Sequence, residues 1–311
     1  MIKTKNPKTI VVTIPLRATG LAYPPVGGLS VVTVLRRAGF TNSHLYNIDW
    51  FRPTFNQAID HLKKEQPDIL GISAVVSTSY EYTKKLSLKV KEVLPQTTII
   101  LGGNMGASAE IVLKKTAVDF ICTGEGDRTA VEFVKCWQTG KNKSAFANIK
   151  GLAFLDENKN LITTPYPDPI EAKDVYDIDW SLLDETGEME IYLKELGPVM
   201  RESSFFSDPR NKEPHRKDKT CISIVASKGC VARCTFCHRW DKGIRYIPVS
   251  VVMERIDFFI EKYNAGFIAF GDENFGTDKR WLGEFIAEIK KRDVVWRVGG
   301  MRVNCITPEW L

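Results

Sequence analysis

The chain has 311 residues, 43% hydrophobic and 26% charged, a composition ordinary for a soluble globular protein and long enough for two cores. Its 43 Lys and Arg against 38 Asp and Glu are scattered along expected helix faces, with no basic block or aromatic-interleaved strip, which argues against a nucleic-acid partner. The apolar run Ile10 to Ile14 is too short for a signal sequence or a membrane span, and seven cysteines, three of them within eight positions, do not resemble a secreted disulfide framework. The expectation is a cytoplasmic protein with a metal site.

From residue 9 to about 140, short β-branched runs alternate with amphipathic stretches, the pattern of a parallel sheet covered by helices on both faces. Strands are expected near Thr9–Ile14, Ser43–Asn47, Ile69–Ala74, Thr98–Gly102 and Phe120–Thr123. Each is followed by a helix such as Leu29–Ala38, which Gly39 closes. Five such units predict a flavodoxin-like (Rossmann-like) α/β domain over residues 1–148. Ligands of such sheets sit outside the carboxyl ends of the strands, so the loops Pro15–Gly28, Val75–Thr78, Gly103–Ala107 and Gly124–Asp127 are candidate binding loops. All four are rich in small or polar residues, although glycine at a strand end is also ordinary turn chemistry.

Residues 149–218 read as a hairpin and linker. Gly151–Leu155 and Leu161–Thr164 flank the turn Asp156-Glu157-Asn158-Lys159-Asn160; Pro165, Pro167 and Pro169 then forbid continuous helix, and the charged segment Asp208–Lys219 is expected to be exposed or mobile. A second βα series fills residues 219–311: strand Cys221–Ala226, helix Val249–Tyr263, strand Gly266–Gly271, helix Lys279–Arg292 and strand Val294–Val298. Thr307-Pro308-Glu309 has the signature of a helix start two residues before Leu311, so the expectation is a domain incomplete at its C-terminus and a chain that is a fragment of a longer one.

Ser227-Lys228-Gly229-Cys230-Val231-Ala232-Arg233-Cys234-Thr235-Phe236-Cys237-His238 follows the first strand of this second series. Three thiolates in one loop can hold three irons of a cubane and leave the fourth iron without a protein ligand, as is required when a cosubstrate binds the cluster directly. A structural zinc site with His238 as fourth ligand is the alternative, but adjacent Cys237 and His238 do not easily reach one tetrahedral ion. Cys122, Cys136, Cys221 and Cys305 stand alone within expected elements and read as small core residues.

The Cys-x3-Cys-x2-Cys run, with Phe236 before its last cysteine, resembles the signature of the radical S-adenosylmethionine superfamily. The resemblance implies the first part of a (β/α)6 partial TIM-type barrel, with Cys230, Cys234 and Cys237 on a [4Fe-4S] cluster. It also implies S-adenosylmethionine contacts at Phe236, at Asp272 and Glu273 in Gly271-Asp272-Glu273-Asn274-Phe275, and at Arg302. An acidic turn capping a helix is the plain alternative for the two acids.

The preceding domain resembles the cobalamin-binding domain of cobalamin-dependent radical enzymes, whose motifs are Asp-x-His-x-x-Gly, Ser-x-Leu and Gly-Gly. Ser73-Ala74-Val75 and Gly102-Gly103 stand at the family's interval, and the position of the lower-face histidine falls on Gly28. The resemblance therefore implies cobalamin with no histidine on cobalt, its nucleotide tail running past Ser73, Gly102 and Gly103, and Glu125 in Thr123-Gly124-Glu125-Gly126 on the pocket rim. Flavin or nucleotide binding is the alternative for this domain.

Together the two resemblances imply a cobalamin-dependent radical S-adenosylmethionine enzyme, fed by an electron donor such as flavodoxin or ferredoxin, that methylates an unactivated carbon of a small molecule or natural product. Ring closure or rearrangement, and a non-catalytic cluster- or corrinoid-binding fragment, stay open. No catalytic side chain is assigned.

Overall fold

A computed structural model describes residues 6–17, 23–75, 77–140, 142–195, 209–235, 237 and 243–307. Phe236 and His238, and Pro308 and Glu309 of the expected helix start, lie outside the described residues.

Five strands, β1 (Thr9–Thr13), β2 (Ser43–Asn47), β3 (Ile69–Ser73), β4 (Thr98–Gly102) and β5 (Phe120–Cys122), pair in parallel in the order β2-β1-β3-β4-β5. This is the doubly wound order of flavodoxin-like folds, and β1 is buried at every position, as a strand covered on both faces must be. Helices α1 (Val26–Arg37), α2 (Phe55–Glu65), α3 (Tyr80–Val93), α4 (Ala109–Lys115) and α5 (Gly126–Gln138) follow the strands. Gly39 closes α1 with φ +94°, and Thr54 and Gln57 form a capping box at the start of α2.

The hairpin assigned to the linker by its sequence is part of this sheet: β6 (Leu152–Leu155) pairs antiparallel with β5, and β7 (Leu161–Thr163) with β6. The proline-rich stretch beyond it is no loose tether either. Ile170, Val175, Ile178, Leu182 and Leu183 are buried in one hydrophobic cluster with Leu29 and Val32 of α1 and with Ile222, Ile224 and Ile256. This wedge fuses the two cores. The charged segment expected to be exposed contains Arg216, buried at 7% exposure with its guanidinium on Asp293, and Asn211, fully buried.

In the second core, β9 (Thr220–Ile224), β12 (Ala265–Phe270) and β13 (Val295–Val298) run in parallel, with β8 (Lys194–Glu195) antiparallel on the β9 edge, in the order β13-β12-β9-β8. Helices α6 (Val249–Tyr263) and α7 (Lys279–Ile289) follow β9 and β12 and cover the sheet, so that strand and helix alternate as in the barrel expected from the sequence. Asp278 caps α7 by accepting from the backbone N–H groups of Arg280 and Trp281. From the carboxyl end of β9 rises an antiparallel hairpin of β10 (Ser227–Cys230) and β11 (Gly243–Tyr246). Its first strand ends on the first cysteine of the motif.

Candidate functional site

The carboxyl ends of the two parallel sheets open into a single cavity of about 520 Å³, within the size range of small-molecule sites. The first sheet contributes Gly27 and Gly28 at the start of α1, Ser73, Gly102 and Gly103 at the ends of β3 and β4, and Glu125 after β5. The second contributes Ser227, Lys228 and Gly229 of β10 with Gly271, Asp272 and Glu273 after β12. All five residues expected at a cobalamin slot and two of the four expected at S-adenosylmethionine thus line one space.

The glycines serve two different ends. A Cβ at Gly103 would lie 2.5 Å from the Ala74 carbonyl oxygen, and its φ of +87° suits glycine alone, so the fold itself demands this residue. A Cβ at Gly28 would meet Leu45 Cδ1 at 3.0 Å, because α1 lies tight on the sheet there. A side chain at this position, where the lower-face histidine would fall, would have to displace the end of Leu45. Gly102 and Gly27 differ: a Cβ on either meets nothing within 4 Å. Their bareness leaves room for a ligand. Gly27 was not singled out from sequence, although the Gly27-Gly28 doublet before a helical pattern was a usable signal.

Glu125 does not present its charge to the cavity as a rim residue would. Its carboxylate accepts from the Ile170 backbone N–H at 3.0 Å, pairs with Arg245 of β11, and lies 3.4 Å from Lys228 Nζ. The Lys228 ammonium also sits 5.2 Å from the centre of the Tyr176 ring. Lys228 and Tyr176 both line the cavity, and neither was foreseen as a site residue.

Cys230 is half-buried, while Cys234 and Cys237 are exposed on the following loop. The Cys237 N–H donates to the Cys234 carbonyl at 3.1 Å, and the Ala232 N–H lies 3.4 Å from Cys230 Sγ, which wraps the chain around the first thiol. Among the described residues no three His, Cys, Asp or Glu side chains converge on one point as a single metal ion demands. A cubane takes one thiolate per iron and spreads its three thiolates wider. Cys122, Cys221 and Cys305 are buried; burial pushes the Cys122 thiol up to about 12, so that it stays protonated.

Asp272, expected to meet the amino group of S-adenosylmethionine, turns its carboxylate elsewhere. It accepts from the Ala226 N–H at 3.1 Å and from the Ser227 hydroxyl, tying the end of β12 to the start of the cysteine hairpin. Burial raises its pKa to about 6 against the pull of these hydrogen bonds. Glu273 beside it is exposed, lines the cavity and has no side-chain partner among the described residues. Arg302 is not brought to the cavity; it is exposed, with Nε 3.4 Å from Asn304 Oδ1.

A family profile described as B12 binding domain matches residues 12–134. Among solved structures, the cobalamin-dependent S-adenosylmethionine radical enzyme OxsB with aqua-cobalamin bound aligns over 98% of this chain and 41% of its own, with a TM-score of 0.71 at 18% identity. Residues 12–134 form a B12-binding domain, and nearly the whole chain shares the fold of that cobalamin-dependent radical enzyme.

The radical S-adenosylmethionine methyltransferase TsrM from Kitasatospora setae shares the fold over 92% of this chain and 52% of its own, with a TM-score of 0.61 at 15% identity. An anaerobic magnesium-protoporphyrin IX monomethyl ester cyclase of Rubrivivax gelatinosus is 25% identical over 93% of this chain and 49% of its own length. An uncharacterized methyltransferase of Pyrococcus horikoshii is 24% identical over 93% of this chain and 57% of its own. The chain spans about half the length of the curated relatives it matches. Among the described residues no helix is long and apolar enough to cross a membrane.

Proposed function

We propose that this chain binds a [4Fe-4S] cluster on Cys230, Cys234 and Cys237, cobalamin at the carboxyl edge of the first sheet, and S-adenosylmethionine between them. In the whole protein it serves methyl transfer to an unactivated carbon of a small molecule or natural product. The observation that carries the reading is the single cavity, with the glycine-lined strand ends of one sheet facing the cysteine hairpin of the other.

The residues present fit both groups. Gly27 and Gly102 leave bare backbone where a cofactor tail needs close approach, and the three thiols stand on a loop that starts at the cavity wall. When bound, the cluster supplies the electron that breaks a carbon–sulfur bond of S-adenosylmethionine, and cobalamin supplies the transferable methyl group. The protein's share is to hold and exclude. The three thiolates would hold the cluster, Glu273, without a side-chain partner among the described residues, would meet the cosubstrate's ammonium, and Ser227 and Asp272 fix the turn from which the cysteines depart. Exposed Cys234 and Cys237 keep the loop within reach of an electron donor such as flavodoxin or ferredoxin, and the free cysteines suit a reducing cytoplasm.

Ring closure is the second reading, favoured by the curated cyclase relatives. Anaerobic reconstitution with iron, sulfide and cobalt analysis tests the cofactor assignment; about four irons and one corrinoid per chain support it, and stoichiometric zinc sinks it. In turnover by the whole protein, a methylated product with S-adenosylhomocysteine supports transfer. 5′-Deoxyadenosine with an unmethylated, cyclised product decides for ring closure.

A further inference from the structure

The two walls of the cavity meet at one buried carboxylate. Glu125 stands in the loop between β5 and α5 at 6% exposure, yet its partners lie in other parts of the fold. Lys228 and Arg245, the two cations it faces, are register partners across the β10–β11 hairpin, so one carboxylate grips both strands at the same rung. Arg245 extends the contact by donating to the Ile170 carbonyl at 2.7 Å, while the Ile170 N–H donates to Glu125 at 3.0 Å. First domain, linker wedge and cysteine hairpin thus close on a single point.

The hairpin needs such support. It is a two-stranded sheet paired with neither of the larger sheets, and an isolated hairpin is marginal in water. On the barrel side it is held by Tyr246, whose hydroxyl donates to the Asn274 carbonyl at 3.0 Å and accepts from the Thr277 N–H at 2.8 Å. On the other side the Glu125 cluster holds it. Buried charges also make the contact selective, since removing one partner of a desolvated pair strands the other.

We propose that Glu125 is a positioning residue: it latches the hairpin that carries Cys230 to the cobalamin-binding domain and so fixes the distance between the two walls of the cavity. The proposal rests on the two-cofactor reading for its purpose, but the latch is testable in the protein before any cofactor is added. Glu125→Gln is the informative change, because the amide still accepts from the Ile170 N–H and only the charge is lost. In hydrogen–deuterium exchange, the amides of Ser227–Cys230 and Gly243–Tyr246 should exchange about tenfold faster or more, while those of β12 keep the wild-type rate. Arg245→Gln should give a comparable local increase, and the double variant little beyond either single change.

Unchanged hairpin exchange in Glu125→Gln overturns the latch. So does a rise shared equally by β12, which marks a general loss of stability, or fully additive effects in the double variant. In reconstituted protein with unchanged iron and cobalt, the same variant should broaden the magnetic dipolar interaction between reduced cluster and cob(II)alamin; an unaltered interaction also overturns positioning. Wild-type protein that takes up neither iron nor cobalt counts against the cofactor reading instead, and the exchange measurement then decides the latch by itself.

Discussion

The two walls of the cavity are built from opposite materials. The first sheet offers backbone: Gly27, Gly102 and Gly103 with the small side chain of Ser73. The second offers charged side chains, the buried carboxyl of Asp272 and the open one of Glu273, and at Gly229 it leads into the loop that carries the three thiols. One wall recognises by shape and the other by chemistry. A wall of shape is set by strand register and glycine geometry and is rigid before its ligand arrives, whereas a loop of thiols proposed to hold a metal would take its final form only with that metal.

The sharpest way to separate the walls is Cys237→Ala. Removing one of three thiolates should abolish nearly all cluster assembly, read as iron and sulfide content, while cobalamin uptake persists because no residue of the first wall is touched. Loss of cobalamin together with iron would mean that the walls form as one unit.

Gly103→Val attacks the other wall. Its Cβ would lie 2.5 Å from the Ala74 carbonyl oxygen at a φ of +87°, so the β4 end must shift. A β-branched residue forced into this region should cost about 3 kcal/mol or more in urea denaturation and remove cobalamin binding. The cysteine hairpin lies on a different sheet, so iron uptake at low temperature should survive in the fraction that folds.

Asp272 joins the walls to pH. Its carboxyl ionises near the ordinary 3.8 in the unfolded chain and near 6 in the fold, so between those values the folded chain keeps a proton that the unfolded chain has released. Its contribution to stability is whole below about pH 4, falls as pH rises towards 6, and is level above that; the expected loss is at most about 3 kcal/mol. Denaturation midpoints of the wild type against Asp272→Asn across pH 4–7 check this, and the variant should lack the slope. An identical slope in both would mean that another group titrates.

The chemistry proposed for the second wall is read from residue types alone: three cysteines at that spacing admit few readings. The elements were legible too, and Val249–Tyr263 and Thr98–Gly102 form over the expected residues. Pairings between distant residues were not. Asp272 meets Ala226 and Ser227 across about 45 residues, and Glu125 meets Arg245 across 120. No local pattern encodes such contacts, so both acids read as ligand contacts while the fold employs them to fasten its own parts. The linker misled for a related reason. Its prolines break every regular period, which hides that Ile170, Val175, Ile178 and Leu183 all face one seam.

The smallest expected effect asks whether bare backbone in the first wall exists for the fold or for a ligand. Gly27 lies in the first turn of α1, where alanine is the better helix former, and a Cβ there meets no atom within 4 Å. Gly27→Ala should therefore leave stability unchanged or raise it by about 0.5 kcal/mol. If the cavity holds cobalamin against this backbone, the same methyl group should weaken cobalamin binding in a titration followed by absorbance. Gly103→Val loses ligand and stability together and cannot tell one cause from the other. Gly27→Ala separates them, because a stable protein with weakened binding has kept its fold and lost only its room. Unaltered cobalamin affinity in that stable variant would move the corrinoid away from the start of α1.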